Sequence, residues 1–151
     1  MNEPVLEFAF EIRVDVDPYL RIGRSADEEL SFTPIAGGTV AGPLLNGEVL
    51  PGGGDWAVER SGTAQLEARY LLRADDGAVI DILNRGFWRA DPEIEARVEA
   101  GEDLTEDQYY YRTQPVFQTD AEPYAWLTST VFIGMARGEE GKVCIRFFEL
   151  A

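Results

Sequence analysis

The chain of 151 residues contains no histidine and a single cysteine, Cys144. The first absence excludes Ser-His-Asp and Cys-His nucleophilic systems and every His-ligated zinc or iron site. The second excludes an internal disulfide framework and a thiolate metal cage. Proton chemistry is left to Asp, Glu, Tyr, Arg, Lys142, Cys144 or bound water. Neither a metal nor a cofactor is expected. Cys144 lies in KVCIRFFEL, which reads as a strand, and its expected role is that of a small buried hydrophobe. Lysine is nearly absent as well, since 12 of the 13 basic residues are Arg and only Lys142 is Lys. No run approaches the ~18 apolar residues of a membrane-spanning helix. The opening MNEPVLEF lacks the basic and apolar regions of a signal peptide. A cytoplasmic protein with no membrane partner is therefore expected.

Acidic residues outnumber basic ones, and the formal net charge is −15. Such a surface repels phosphate backbones, so no nucleic-acid partner is expected. The hydrophobic fraction of 45% is that of an ordinary globular protein. The length suits one domain, 1–151, with a core that needs no covalent staples.

Residues 5–16, VLEFAFEIRVDV, alternate apolar and polar over a dozen positions. That is a long half-buried strand, and its length favours a barrel over a small flat sheet. Asp17-Pro18 ends it. Residues 20–30 read as loop with a short extended piece, 32–40 as a strand and 44–50 as another. Gly37-Gly38 provides for a bulge or a close backbone approach. Pro51-Gly52-Gly53-Gly54 is a strong breaker, followed by Asp55-Trp56. Residues 63–74 and 78–85 form a hairpin around Asp76-Gly77, the favoured pair for a tight two-residue turn. With that turn Arg69 faces Asn84, and Glu67, Arg69, Leu71, Ile80, Ile82 and Asn84 share one face. Both faces are then mixed, which fits a barrel with a partly polar lumen.

Asp91-Pro92 starts one short helix, and Gly101 closes it. Residues 109–119 follow as a strand whose Pro115 implies an edge or a bulge, and an exposed edge there suits a homodimer. Residues 124–136 and 142–150 complete the set across a Gly138–Gly141 turn. The tally predicts an all-β fold: one antiparallel β-barrel, calycin- or lipocalin-like, of about eight to ten strands with one short helix.

Several dispersed blocks carry a resemblance. They are Ile35-Ala36-Gly37-Gly38…Gly42-Pro43, Gly47-Glu48-Val49-Leu50-Pro51-Gly52-Gly53-Gly54-Asp55-Trp56, Ala68-Arg69-Tyr70 and Asp75-Asp76-Gly77-Ala78-Val79-Ile80. Tyr111-Arg112-Thr113, Phe117-Gln118-Thr119 and Tyr124-Ala125-Trp126-Leu127 follow in order. In these the chain resembles the family known as domain of unknown function 3237. The resemblance implies a single-domain antiparallel barrel with a central cavity and carries no activity. Glu67 departs from the family pattern, which more often has Asp before Ala-Arg-Tyr.

Three groups are candidates for function. Glu67, Arg69 and Asn84 would put an acid, a guanidinium and an amide in the lumen, where Arg could hold a carboxylate or enolate and Glu could move a proton. The competing reading is a surface ion pair. Asp55 and Trp56 follow three glycines that could aim Asp55 into the barrel mouth, or simply make a turn plugged by Trp56. Tyr111, Thr113 and Phe117 share a strand face with Arg112 opposite, and Tyr124, Trp126 and Thr128 share the next. An aromatic wall with hydroxyls suits a flat organic ligand, although ordinary core looks the same. Asp75-Asp76-Gly77 is turn chemistry, without calcium-loop spacing.

The expected function is a barrel that binds a small aromatic or carboxylate-bearing molecule. The leading reading is a cofactor-free lyase, isomerase or cyclase. Glu67 or Asp55 would transfer protons, Arg69 or Arg112 would steady negative charge, and Tyr111 would donate a hydrogen bond. The alternatives are a non-catalytic carrier or sensor, and a filled barrel that binds another protein.

Overall fold

A computed structural model describes residues 2–151. The strands are β1 (Leu6–Val16), β2 (Leu20–Ser25), β3 (Glu28–Ala41), β4 (Gly47–Val49), β5 (Gly54–Arg60), β6 (Thr63–Ala74), β7 (Val79–Arg89), β8 (Tyr110–Gln118), β9 (Phe132–Glu139) and β10 (Lys142–Leu150). Helix α1 (Pro92–Glu99) and two 3-10 stretches, Glu106–Gln108 and Glu122–Ser129, complete the chain. No helix is long and apolar enough to cross a membrane.

The strands close on themselves. Neighbours run β1–β10–β9–β8–β7–β6, and β3 returns to β1. Between β6 and β3, both β4 and β5 pair with each of them, so the two occupy one place interrupted at Pro51-Gly52. The result is an antiparallel barrel of eight places. Strand β2 pairs only with the first half of β3 and stands outside the ring. Closure removes most of the free edges that would otherwise template aggregation, while β2 keeps one side unpaired.

The seam of the barrel depends on a close approach. Strand β1 pairs with β10 along its length and with β3 from Glu11 to Val16. The β1–β3 register slips at Asp15/Val16, beside Gly37-Gly38. Gly38 has φ +147°, and a Cβ there would sit 2.0 Å from the Arg13 carbonyl oxygen. The close approach expected of this glycine pair is what lets the ends of the sheet meet.

One end of the barrel is solid. Phe10, Phe117, Phe132 and Phe147 are buried, and their ring centroids lie 5.2 to 6.3 Å apart. Each such burial stabilises by roughly 1.5–3 kcal/mol. Leu127 and Trp126, from the second 3-10 stretch, pack on this cluster, with Trp126 5.8 Å from Phe132.

Four sequence expectations are corrected. Residues 124–136 do not form one strand: Glu122–Ser129 is 3-10 helix and the strand begins at Phe132. Pro123 supplies a helical φ at the start, and the hydroxyls of Thr128 and Thr130 donate to the carbonyls of Ala125 and Trp126. Residues 20–30, expected to be mostly loop, form β2 and the start of β3, while the expected strand 44–50 shrinks to Gly47–Val49. The β6–β7 hairpin has its turn at Asp76-Gly77, but the loop is one residue longer than expected. Ala74 N–H donates to Ala78 O, Gly77 N–H donates to Ala74 O, and Gly77 has φ +91°. A glycine bulge in that left-handed region adds the extra residue. Arg73 therefore pairs Val79, Arg69 pairs Leu83 and Ala68 pairs Asn84. A slip of one residue reverses which faces coincide.

Helix α1 matches expectation in place and character. Pro92 opens it, Gly101 (φ +79°) ends the turn after it, and it buries no residue. Pro115 also has its reason: β8 pairs β9 only at Arg112 and Thr113, so the proline lies beyond that ladder.

Candidate functional site

With the observed register, β6 alternates cleanly. Ala68, Tyr70 and Leu72 point inward, and Glu67, Arg69 and Leu71 point outward. Asn84 comes inward on β7, and Tyr111 and Thr113 on β8. Asp55 joins them from β5, between Thr33 of β3 and Ala68 of β6. The glycines before Asp55 are required by packing. A Cβ on Gly53 would meet the Arg69 carbonyl oxygen at 2.4 Å, and one on Gly54 would meet the Phe32 ring at 2.0 Å.

These five polar residues share one cavity, whose remaining wall is apolar: Val14, Val16, Ile35, Leu66, Ala68, Val143 and Ile145. Its volume is about 30 Å³, room for about two waters. Four polar atoms here are buried without a hydrogen-bond partner: Asp55 Oδ1, the Tyr70 hydroxyl, Asn84 Oδ1 and Thr113 Oγ1. Buried polar groups are paired in more than about 90% of cases, and each orphan costs about 1–3 kcal/mol. All four converge on this one cavity.

The electrostatics of the lumen are those of a single isolated acid. Burial raises the Asp55 pKa from 3.8 to about 6, and a Glu67 backbone hydrogen bond pulls it back only partly. Burial, and then the negative charge of Asp55, push the Tyr70 and Tyr111 hydroxyls well above the usual tyrosine range. The two phenols stay protonated. No basic side chain lines the cavity.

Of the residues singled out from sequence, Asp55, Tyr111, Asn84 and Thr113 come together. Glu67 and Arg69 do not join them, because the extra loop residue puts Asn84 on the face opposite to theirs. Arg69 instead pairs Asp81 on the outer wall through two hydrogen bonds of 3.1 and 3.2 Å, and Glu67 lies 3.6 Å from Arg85. Arg112 also lies outside, donating to the Tyr111 carbonyl at 2.9 Å with its guanidinium over the Tyr110 ring. Trp56 is 48% exposed and packs on Phe32 at 4.6 Å, away from the lumen. Trp126 belongs to the solid end, and Thr128 is an exposed residue of the 3-10 stretch. Tyr70 was missed. Strand β6 alone would have found it, since Leu66, Ala68, Tyr70, Leu72 and Ala74 alternate with Glu67, Arg69 and Arg73.

Known proteins resemble this chain over its whole length. A UPF0311 protein of Clostridium acetobutylicum is 35% identical over 153 residues, covering 100% of this chain and 97% of that protein. A hydroalkoxylation enzyme of Penicillium herquei is 25% identical over 131 residues, 87% of this chain and 73% of the enzyme. Among solved structures, a conserved protein of unknown function from Rhodopseudomonas palustris superposes with a TM-score of 0.93 at 29% identity, covering 100% of both chains. A beta-barrel like protein from Acinetobacter baumannii superposes at 0.87 with 31% identity, covering 100% of this chain and 98% of the other. The model of the family described as protein of unknown function (DUF3237) matches residues 4–150, and the chain belongs to that family.

Proposed function

We propose that the barrel is an acid–base enzyme acting on a small, uncharged, hydroxyl-bearing organic molecule, with Asp55 as the group that moves the proton. The observation that carries this reading is one carboxyl with a pKa of about 6 among three further unpartnered polar atoms in an apolar lumen. A general acid–base works best when its pKa lies near the working pH. At neutral pH roughly a tenth of Asp55 molecules hold the proton, so both forms are available. Tyr70 and Tyr111 supply hydrogen bonds to developing negative charge. A carboxylate-bearing substrate fits less well, because no guanidinium faces the lumen and Asp55 would repel it.

The resemblance to the hydroalkoxylation enzyme of Penicillium herquei supports a specific reaction type. Hydroalkoxylation adds an alcohol O–H across a carbon–carbon double bond. The Asp55 carboxylate accepts the hydroxyl proton as the C–O bond forms, and the resulting carboxylic acid returns it to the neighbouring alkene carbon. The addition is redox-neutral and needs no electron carrier.

The test uses an ortho-prenylated phenol, which holds both reacting groups, incubated with the protein in D₂O. Cyclised product carrying deuterium at the former alkene carbon is the expected result. Asp55→Asn should lower the rate by about 10²-fold or more, while Glu67→Gln leaves it unchanged. Full turnover by Asp55→Asn would overturn the proposal. Recovery of bound but unchanged phenol from the wild-type protein would also overturn it, in favour of a carrier.

A further inference from the structure

The lumen is too small for an aromatic substrate to enter whole. A second, larger space adjoins it. The connection from β7 to β8, residues 90–109, forms one wall of a cleft of about 380 Å³ whose other walls are Trp88, Tyr111 and the start of the β9–β10 turn. Tyr111 lines both spaces. Three rings step from the cleft to the lumen: Trp88 stacks on Tyr109 at 6.0 Å, and Tyr109 lies 6.5 Å from Tyr111. Tyr109 is held in place because its hydroxyl accepts the Gly138 N–H at 3.1 Å. Opposite the rings stand Leu104 and Val98. Val98 is 43% exposed on a helix that buries nothing, so its apolar face lacks a protein partner.

The rim is anionic. Four carboxylates line the cleft and no basic side chain does. Glu139 is neutralised by Arg13 and Arg137, and Glu102 by Arg97. Asp103 and Glu140 have no ion-pair partner among the described residues.

We infer that this cleft is the subsite for the body of the substrate, and that it takes a flat aromatic ring system that is neutral or cationic. The inference rests on the reading of the lumen as the reacting end: the rings hold the aromatic body while its hydroxyl-bearing edge reaches past Tyr111 towards Asp55. A space of this size lies within the range of small-molecule sites. Aromatic walls reward an offset-stacked ring, and an acidic, unneutralised rim repels an anion.

Three naphthalenes of one shape and different charge test it: 1-naphthol, 1-naphthylmethylammonium and 1-naphthoate. The protein's three tryptophans report the location by NMR. Trp88 lies in the cleft, Trp56 on the outer wall and Trp126 at the solid end. Naphthol and the ammonium should move the Trp88 indole N–H signal and leave the other two in place. Their Kd should be at least tenfold lower than that of naphthoate. Leu104→Trp, which fills the cleft, should weaken naphthol binding at least tenfold. Asp103→Asn with Glu140→Gln should bring naphthoate towards the affinity of naphthol. Equal affinity for all three, or shifts at Trp56 or Trp126 instead, would overturn the inference, as would no shift at all. Asp55→Asn separates it from the proposed reaction. Naphthol should still move the Trp88 signal of that variant, so retained turnover would refute the reaction alone and a lost Trp88 shift would refute the subsite.

Discussion

Asp55 leaves a thermodynamic signature that needs no substrate. Folding raises its pKa from 3.8 to about 6 through burial. A group raised on folding supports the fold in its protonated form. Its contribution is intact below about pH 4 and is lost as the pH climbs through about 6. The full difference corresponds to roughly 3 kcal/mol, of which about 2 kcal/mol falls between pH 4 and pH 7. Asp55→Asn keeps the shape and removes the titration. The stability of the variant minus that of the wild type should therefore grow by about 2 kcal/mol over that interval and level off above about pH 7. Urea denaturation across the range measures it, and subtraction cancels the repulsion shared by the other carboxylates. In thermal unfolding the same gain is roughly 4–8 °C for a chain of this size. Parallel pH curves for the two proteins would mean that Asp55 is solvated in the folded state, and the acid–base assignment would lose its foundation.

Phe132→Ala should cost about 3–5 kcal/mol in urea denaturation, because it opens a cavity in the solid end; a loss below about 1 kcal/mol would mean that the phenylalanine cluster collapses freely. Gly38→Ala should cost at least about 2 kcal/mol, since the new Cβ meets the Arg13 carbonyl in a backbone conformation that side chains rarely adopt. Arg69→Ala, by contrast, should change stability by no more than about 1 kcal/mol, as expected of an exposed pair. Cys144 is fully buried with its thiol pKa raised, first by that burial; a bulky disulfide reagent should label it only under denaturing conditions, and labelling of the native protein would contradict its placement.

The barrel was legible in the sequence because several strands, β6 and β8 among them, alternate at period 2 and the terminal pair is long enough to close a ring. β8 could be read directly, and so could the span of β1, although a bulge between Phe8 and Phe10 turns Leu6 and Phe8 out of the face that Phe10, Ile12 and Val14 occupy. The site was legible in part. Three glycines marked Asp55, and Tyr111 and Thr113 shared a strand face with buried Phe117. What failed was register. Asp76-Gly77 specifies a tight turn but not its length, and only the positive φ of Gly77 in the folded chain distinguishes a two-residue loop from a bulged one. That single residue moved Glu67 and Arg69 apart from Asn84. The stretch 124–130 failed for a different reason. Alternating Tyr124, Trp126, Thr128 and Thr130 mimic a strand, while the threonine hydroxyls in fact satisfy carbonyls of a helical turn. Alternation reports burial, and it reports backbone only when no side chain competes for the backbone's hydrogen bonds.

The four packed phenylalanines have a kinetic consequence. They fill that end of the interior, and the cleft adjoins the lumen at Tyr111. On the proposed reading, a molecule shared between the lumen and the cleft enters and leaves past Tyr111. Under the proposed reaction, product and substrate would contend for the same passage, and product inhibition would be competitive. A departing molecule that lingers in the cleft would block the next arrival, and the rate of exit would then set the ceiling on turnover.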